Sequence, residues 1–324
     1  MVEIVGVEPT DRDQLREFWL AECEAQAHGR PYAVLRTFEE RLMVGEPHPY
    51  YRTVLLAGRL GDAVVGTAGI GVGLRDNPHL AHVDLGVVPS HRRQGVGTAL
   101  LDAVLRWCRE HERTTLLGEV AVPVGTDPTR AASYAFAVSR GFTSVQLDDH
   151  LLLRLPATPG GAVEVPGYEV LTWRDRCPDQ YVVPFCTMRS QMSQDVPTGE
   201  IDMEPIVVDV DRLRTLEART ARIYHSVVSA ARAADGSFAG YSIVYLPHDG
   251  DVVVQDDTLV MPEHRGHRLG TALKLANLAV VQREHRERTS LHTWTASDNL
   301  PMQRTNRDFG FTPVERIHEM QGTV

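Results

Sequence analysis

The sequence predicts an α+β protein built as two tandem copies of one unit, and three observations carry that prediction. The stretch HRRQGVGTALL at residues 91–101 returns as HRGHRLGTALK at 264–274. Each of these turns follows a strand-like segment and runs into a helix-like one. Landmarks around them keep nearly constant spacing: Arg92 and Arg265 are 173 positions apart, Gly66 and Gly240 are 174, and Gly141 and Gly310 are 169. A repeat of about 160 residues is an ordinary domain size.

The elements of the two halves follow one order. Each opens on a strand, EIVGV or YEVLTW, and continues into helical stretches such as DRDQLREFWLAECEAQA. A tight turn and a strand with a central glycine come next, GDAVVGTAGI (61–70) and DGSFAGYSIV (235–244). The strands DLGVVPSHR (84–92) and DTLVMPEHR (257–265) then lead into the turns. In TALLDAVLRWCRE the residues Leu100, Leu101, Val104, Leu105 and Cys108 share one helical face. TALKLANLAVVQRE does the same with Leu273, Ala276, Leu278, Val280 and Val281. A strand, a second helix and a final strand close each half. Between the halves, LPATPGGAVEVPG (155–167) is rich in proline and glycine and reads as a linker. The expected division is 1–157, a linker at 158–167, and 168–324.

Composition bounds the function. The 324 residues are 43% hydrophobic and 23% charged, the balance of a folded water-soluble chain, and no apolar run approaches a bilayer span. The acidic, interrupted N-terminus does not read as a targeting peptide, and a cytoplasmic location is expected. Four scattered cysteines without CxxC spacing are expected to be reduced thiols. A net charge of −10 argues against nucleic acid as a partner and suits a cationic one. His264 and His267 lack a third ligand and sit in an arginine-rich turn, so no metal is expected. Trp107 and Trp294 are read as core, and EHRERT (284–289) as a solvated helix end.

The turns carry the chemistry. In SHRRQGVG, Gly95 and Gly97 permit backbone conformations barred to other residues, and the freed N–H groups point outward at the positive end of a helix. That is a seat for a phosphate or pyrophosphate, with Arg92 and Arg93 adding charge. Neither GxxxxGK[ST] nor GxGxxG with a later acid is present at the turn.

With Arg92-Arg93-Gln94-Gly95-Val96-Gly97, Val87-Val88-Pro89 before it and Gly141-Phe142 after it, the chain resembles the Gcn5-related N-acetyltransferase (GNAT) superfamily twice over. The resemblance covers nearly all of both halves. It implies two domains, each a central mixed, mostly antiparallel sheet flanked by helices. It also implies acetyl-CoA or another acyl-CoA as co-substrate, with its pyrophosphate on the turn and Thr98. The pantetheine would lie along the strand end, around Val87 and Val88 or Leu259 and Val260. The second turn, Arg265-Gly266-His267-Arg268-Leu269-Gly270-Thr271, departs by placing arginine where the first motif glycine belongs. If that position needs positive φ, Arg268 costs on the order of 1 kcal/mol.

The implied reaction is direct attack of an amine on the thioester, with a base for the amine proton and an acid for the thiolate. In the family the base is often a glutamate on the strand before the turn, and the acid a tyrosine in an N-x-x-A-x-x-x-Y-x-x-x-G-F helix. The first half places Arg130, Ser133, Ala137 and Gly141 at the helix positions, so asparagine and tyrosine are both absent. Tyr134, one turn earlier, reads as a core or interface tyrosine. His82 and Asp84 share a strand face, and His82 is read equally as base or as plain strand histidine. The second half places Asn299, Met302, Asn306 and Gly310 at those positions. Asn306 replaces the tyrosine and can bond a thiolate or thioester oxygen without supplying a proton. The strand there offers Gln255, Asp256 and Asp257; Asp257, which matches Asp84, is read as base, as structural, or as a substrate-ammonium site. Asn299 is grouped with the cofactor residues.

The expected activity is acyl-CoA-dependent N-acylation of a small-molecule amine, with cofactor affinity in at least the first half and chemistry in the second. The alternatives are a CoA-binding sensor or scaffold with inactive sites, and acyl transfer to a protein lysine. The acceptor would be lined by residues around 24–52 and 186–206, and the chain would be a monomer or homodimer.

Overall fold

A computed structural model describes residues 2–160, 163–196 and 199–324; Gly161 and Ala162 of the predicted linker, and Pro197 and Thr198 of the predicted acceptor region, lie outside them. In chain order the first repeat forms β1 (Glu3–Gly6), α1 (Arg12–Ala27), α2 (Phe38–Val44), β2 (Tyr51–Leu60), β3 (Ala63–Gly73), β4 (Leu80–Val87), α3 (Val96–Glu110), β5 (Thr115–Pro123), α4 (Ala132–Ser139) and β6 (Thr143–Arg154). The second forms β7 (Tyr168–Arg174), α5 (Val182–Asp195), α6 (Val210–Thr220), β8 (Tyr224–Ala233), β9 (Phe238–Pro247), β10 (Val252–Val260), α7 (Leu269–Glu284), β11 (Ser290–Ala296), α8 (Leu300–Phe309) and β12 (Thr312–Thr323). The expected mixed fold, with helices flanking mostly antiparallel sheet, is what the chain adopts.

By contact the chain divides into two compact units that are not contiguous in sequence. One comprises Met1–Leu147, Thr198–Glu204 and Glu315–Val324; the other comprises Asp148–Pro197 and Pro205–Val314. The repeat boundary near residue 158 and the unit boundary therefore differ, because each repeat gives up most of its last strand. In the first unit the strand order is β1-β2-β3-β4-β5-β12, and Glu315–Thr323 of β12 pair antiparallel with Pro123–Thr115 of β5. In the second it is β6-β11-β10-β9-β8-β7, with Asp148–Arg154 of β6 pairing antiparallel with Ala296–Ser290 of β11.

The helix after each turn packs by its apolar face. On α3, Leu100, Leu101, Val104 and Cys108 are buried as the periodicity requires, and Leu100, Val104 and Cys108 pack with Val65 and Ile70 of β3 and Leu116 of β5. Each such side chain contributes about 1.5–3 kcal/mol. The α7 face buries Leu273, Leu278, Val280 and Val281, but also Lys274 and Asn277, which no apolar pattern calls for. Gly66 has a packing reason to be glycine: a Cβ there would lie 2.8 Å from Val96 Cγ1 and 3.1 Å from the Gly86 carbonyl oxygen. Gly240 likewise backs onto the Leu259 carbonyl. All four cysteines are free thiols, and no helix among the described residues is long and apolar enough to cross a membrane.

Candidate active site

Each unit opens a gap at the same place. In the first, β4 and β5 pair in parallel only from Leu80–Thr115 to His82–Leu117, although β4 runs on to Val87 and β5 to Pro123. In the second, β10 and β11 pair from Val252–Ser290 to Val254–His292 and then part, while β10 continues to Val260. The far edge of each departing strand is held, β5 by β12 and β11 by β6, so the gap does not depend on the missing pairing. Past the gap, the strand edge of β4 or β10 offers backbone groups to an extended ligand.

The turns sit at the end of that edge. Gly95 is the N-cap of α3 at φ 84°, and the first intrahelical bond is from the Ala99 N–H to the Gly95 carbonyl. The amides of Val96, Gly97 and Thr98 therefore have no intrahelical acceptor, and a glycine cap supplies no side chain for them. The α7 turn is built alike: Arg268 caps at φ 59°, the Ala272 N–H bonds to its carbonyl, and the amides of Leu269, Gly270 and Thr271 are left open. Such N-termini favour anions. Each turn holds a second left-handed residue two positions earlier, Arg93 at φ 63° and Gly266 at φ 88°. Arg93, Gln94, Gly266, His267 and Arg268 are exposed, and Thr98 Oγ1 accepts from Arg140 at 2.5 Å.

The leading arginines are used differently from the sequence expectation. Arg92 turns back, its Nε donating to the Val87 carbonyl at 3.1 Å and an Nη to the Ala25 carbonyl at 3.3 Å. Arg265 repeats this with the Val260 carbonyl at 3.2 Å and Asp195 at 2.5 Å. Both guanidiniums tie the turn to the strand end and to the C-terminal end of α1 or α5. Val88 and Leu259 are buried side chains, leaving only their backbone for a ligand. His264 and His267 pack around Tyr168, whose hydroxyl lies 3.1 Å from His264 Nδ1.

The strand carboxylates differ between the units. Residues Gly66–Gly71 of β3 and Val87–His82 of β4 pair without interruption. His82 and Asp84 share a face as alternation requires, and Asp84 pairs with Arg36 at 3.2 Å. Desolvation lowers the His82 pKa against the opposing pull of Asp84. In the second unit the β9–β10 pairing shifts between Gln255 and Thr258. Asp256 and Asp257 together oppose the single residue Ile243, a β-bulge that turns both carboxylates to the α5 face. Gln255 fastens the bulge from the other side, its buried Nε2 donating to the Ile243 carbonyl at 2.8 Å. Asp257 is held by Arg189 of α5 at 2.9 Å and by the Tyr241 hydroxyl at 2.8 Å. Asp256 is 42% exposed and 3.9 Å from Arg189. Desolvation and the adjacent Asp257 charge push it up to about 6.

The motif residues of α4 and α8 are engaged by neighbours within their own units. Tyr134 packs edge-on to His318 with ring centres 4.8 Å apart. Asn299 caps α8, accepting from the Met302 N–H at 3.3 Å. Asn306, expected to reach a thiolate or thioester, is fully buried with both amide atoms engaged. Its Oδ1 accepts from Lys274 at 2.6 Å, and its Nδ2 donates to Thr295 at 2.9 Å. Trp294, read as core, is 38% exposed and stacks on His150. Sequence reasoning passed over Arg36, Arg189, Tyr241 and Lys274. Only Lys274 leaves a local signal, a charge on the helix face where the first copy has Leu101.

Comparison with known proteins agrees with the fold and its duplication. The model of the acetyltransferase (GNAT) family matches residues 12–142 and 200–311. A tandem GNAT protein from the clavulanic acid biosynthesis pathway is 29% identical with a TM-score of 0.85, over 100% of this chain and 98% of that one. A GCN5-related N-acetyltransferase from Sphaerobacter thermophilus shares the fold at 13% identity and TM-score 0.70, over 99% and 95% of the two chains. A putative acetyltransferase from Pyrococcus horikoshii does so at 14% and 0.58, over 100% and 89%. No curated protein sequence matches the chain.

Proposed function

The chain belongs to the acetyltransferase (GNAT) family, and from that premise we propose that it transfers an acyl group from acetyl-CoA, or another acyl-CoA, to the amine of a small molecule in the cytoplasm, with the chemistry in the second unit. The observation that carries this reading is the Asp256–Asp257 bulge, set where β10 leaves β11. It puts two carboxylates beside the gap that the thioester would enter, and the first unit has no such bulge.

The pyrophosphate would rest on the open amides of Leu269, Gly270 and Thr271, with Arg268 and His267 beside it. The pantetheine would pair with the β10 edge around Leu259 and Val260, which Arg265 steadies. In the first unit Arg93, Gln94, Gly95, Val96, Gly97 and Thr98 form the corresponding seat, and that unit binds the cofactor. Asp257 is committed to Arg189 and Tyr241, so its charge orients and attracts a cationic amine. Asp256, freer and less acidic, takes the amine proton. His82 and the paired Asp84 are left without a catalytic part.

The test is incubation with acetyl-CoA and a panel of amines while free thiol is followed. Thiol release with at least one amine, abolished by Asp256→Asn and insensitive to His82→Gln, is expected. Tight CoA binding without turnover of any amine would overturn the reading in favour of a sensor.

A further inference from the structure

The two copies differ in one buried place, and the difference runs against folding economy. In the first unit the corresponding positions, Leu101 and Val104 of α3, Val120 of β5 and Ala137 of α4, are all apolar, and the first three are buried. The turns align Leu101 and Val104 with Lys274 and Asn277, and the terminal glycines Gly141 and Gly310 align Ala137 with Asn306. Val120 corresponds to Thr295, since each lies four residues beyond the member of β5 or β11 that pairs with Ala81 or Val253. The second unit thus buries four polar side chains, Lys274 at 3%, Asn277 at 0%, Thr295 at 7% and Asn306 at 0% exposure.

Three of them form a chain, from Lys274 Nζ to Asn306 at 2.6 Å and from Asn306 to Thr295 at 2.9 Å. Both amide atoms of Asn277 are buried without a hydrogen-bond partner. Among the described residues no carboxylate pairs with Lys274; its further neighbour is the Phe311 ring, 5.5 Å from Nζ to the ring centre. A buried cation without a counter-charge is unfavourable, and the first copy shows that the fold does not need it.

The cluster lies on the gap. Gly270, one turn before Lys274, faces the Thr258 and Val260 side chains of β10. Thr295 stands on β11, three residues past the last β10–β11 pair at Val254–His292. The bonds from α7 through α8 to β11 thus border the parted stretch on the face opposite Asp256 and Asp257.

We infer that Lys274 is the acid that protonates the departing thiolate in the second unit, the part that Asn306 cannot play. The inference rests on the acyl-transfer reading above. The amine nitrogen's lone pair forms the C–N bond, and the carbon–sulfur bond breaks with its electron pair going to sulfur. Nitrogen gives a proton to Asp256. Lys274 Nζ gives one to sulfur, so CoA leaves as the thiol, and solvent then returns each group to its starting form. The anion that develops on sulfur is the charge that the buried ammonium lacks. Burial brings Lys274 down to about 7, so that it can both release and regain a proton near neutrality.

The experiment uses the full-length protein with Lys274→Met, and Lys274→Leu as a second variant that copies the first unit. Steady-state thiol release with the best amine is measured together with affinity for CoA against desulfo-CoA, which lacks only the sulfur. The inference expects kcat to fall roughly 10²–10⁴-fold, the KM for the amine to hold, and the preference for CoA over desulfo-CoA to shrink. A kcat within about twofold of wild type, or an unchanged preference, overturns it while leaving the acyl-transfer reading intact. A wild-type protein that turns over no amine overturns that reading, and the inference falls with it.

Discussion

Gly95 and Arg268 occupy the same left-handed position, the N-caps of α3 and α7, at φ 84° and 59°. Two residues earlier the identities are exchanged, with Arg93 at φ 63° and Gly266 at φ 88°. Each turn therefore has one glycine and one arginine at its two left-handed sites, in opposite order. A left-handed non-glycine residue costs about 1–2 kcal/mol, so the strain is matched between the copies while the position of the charge is not.

Arg268→Gly relieves that strain and removes an exposed guanidinium beside the open amides. The expected result is a thermal midpoint no lower than wild type, with CoA affinity in the second unit reduced several-fold. Calorimetric titration together with a melting curve checks both. Tighter CoA binding would show that Arg268 is not part of the anion seat.

Asp256 must be deprotonated to take a proton, and its pKa stands at about 6. Turnover should fall along an acid limb as pH drops through about 6 and, because Lys274 must hold its proton, fall again as pH rises through about 7. Asp256→Asn should lower kcat by roughly 10²-fold or more and erase the acid limb. A pH–rate profile of the two proteins decides this, and an acid limb that survives in the variant assigns the base elsewhere.

Lys274 is a lysine whose folded pKa lies below its ordinary value, so the unfolded chain binds more protons between about 7 and 10.5. The native state is accordingly disfavoured in full below pH 7, and the penalty fades as pH rises toward 10.5. Lys274→Leu should be as stable as wild type or more so near neutrality, by up to about 1–4 kcal/mol. The Asn306 oxygen left without its donor offsets part of that gain. Chemical denaturation at several pH values should show the difference shrinking as pH is raised. A variant less stable by several kcal/mol at every pH would make Lys274 a structural residue.

Residues Glu315–Thr323 supply the whole pairing of β5 on the side away from β4. Removing everything after Val314 should therefore expose β5 and loosen the first unit. Amide exchange is expected to rise across Thr115–Pro123 before it rises in β10. Unchanged protection of β5 would mean that its hold comes from α3 and α4 instead.

Much of this was legible in the residues themselves. The duplication, the two turns and the order of strand, turn and helix follow from repeated letters and from apolar spacing on TALLDAVLRWCRE, which are local properties. The open amides of each turn also follow locally, since a left-handed residue and a helix start determine where free N–H groups point. Tertiary structure decided the rest. One extra residue in β10 overturns strict alternation and brings Asp256 beside Asp257, and a bulge is a relation between two strands that neither displays alone. Arg189, Tyr241 and Arg36 reach their carboxylates across long sequence separations, and Lys274 acquires meaning only once α7, α8 and β11 close around it. Sequence determined that there would be two such turns; only the pairing of strands and the packing of helices on them decided that the two gaps beside the turns are chemically unlike.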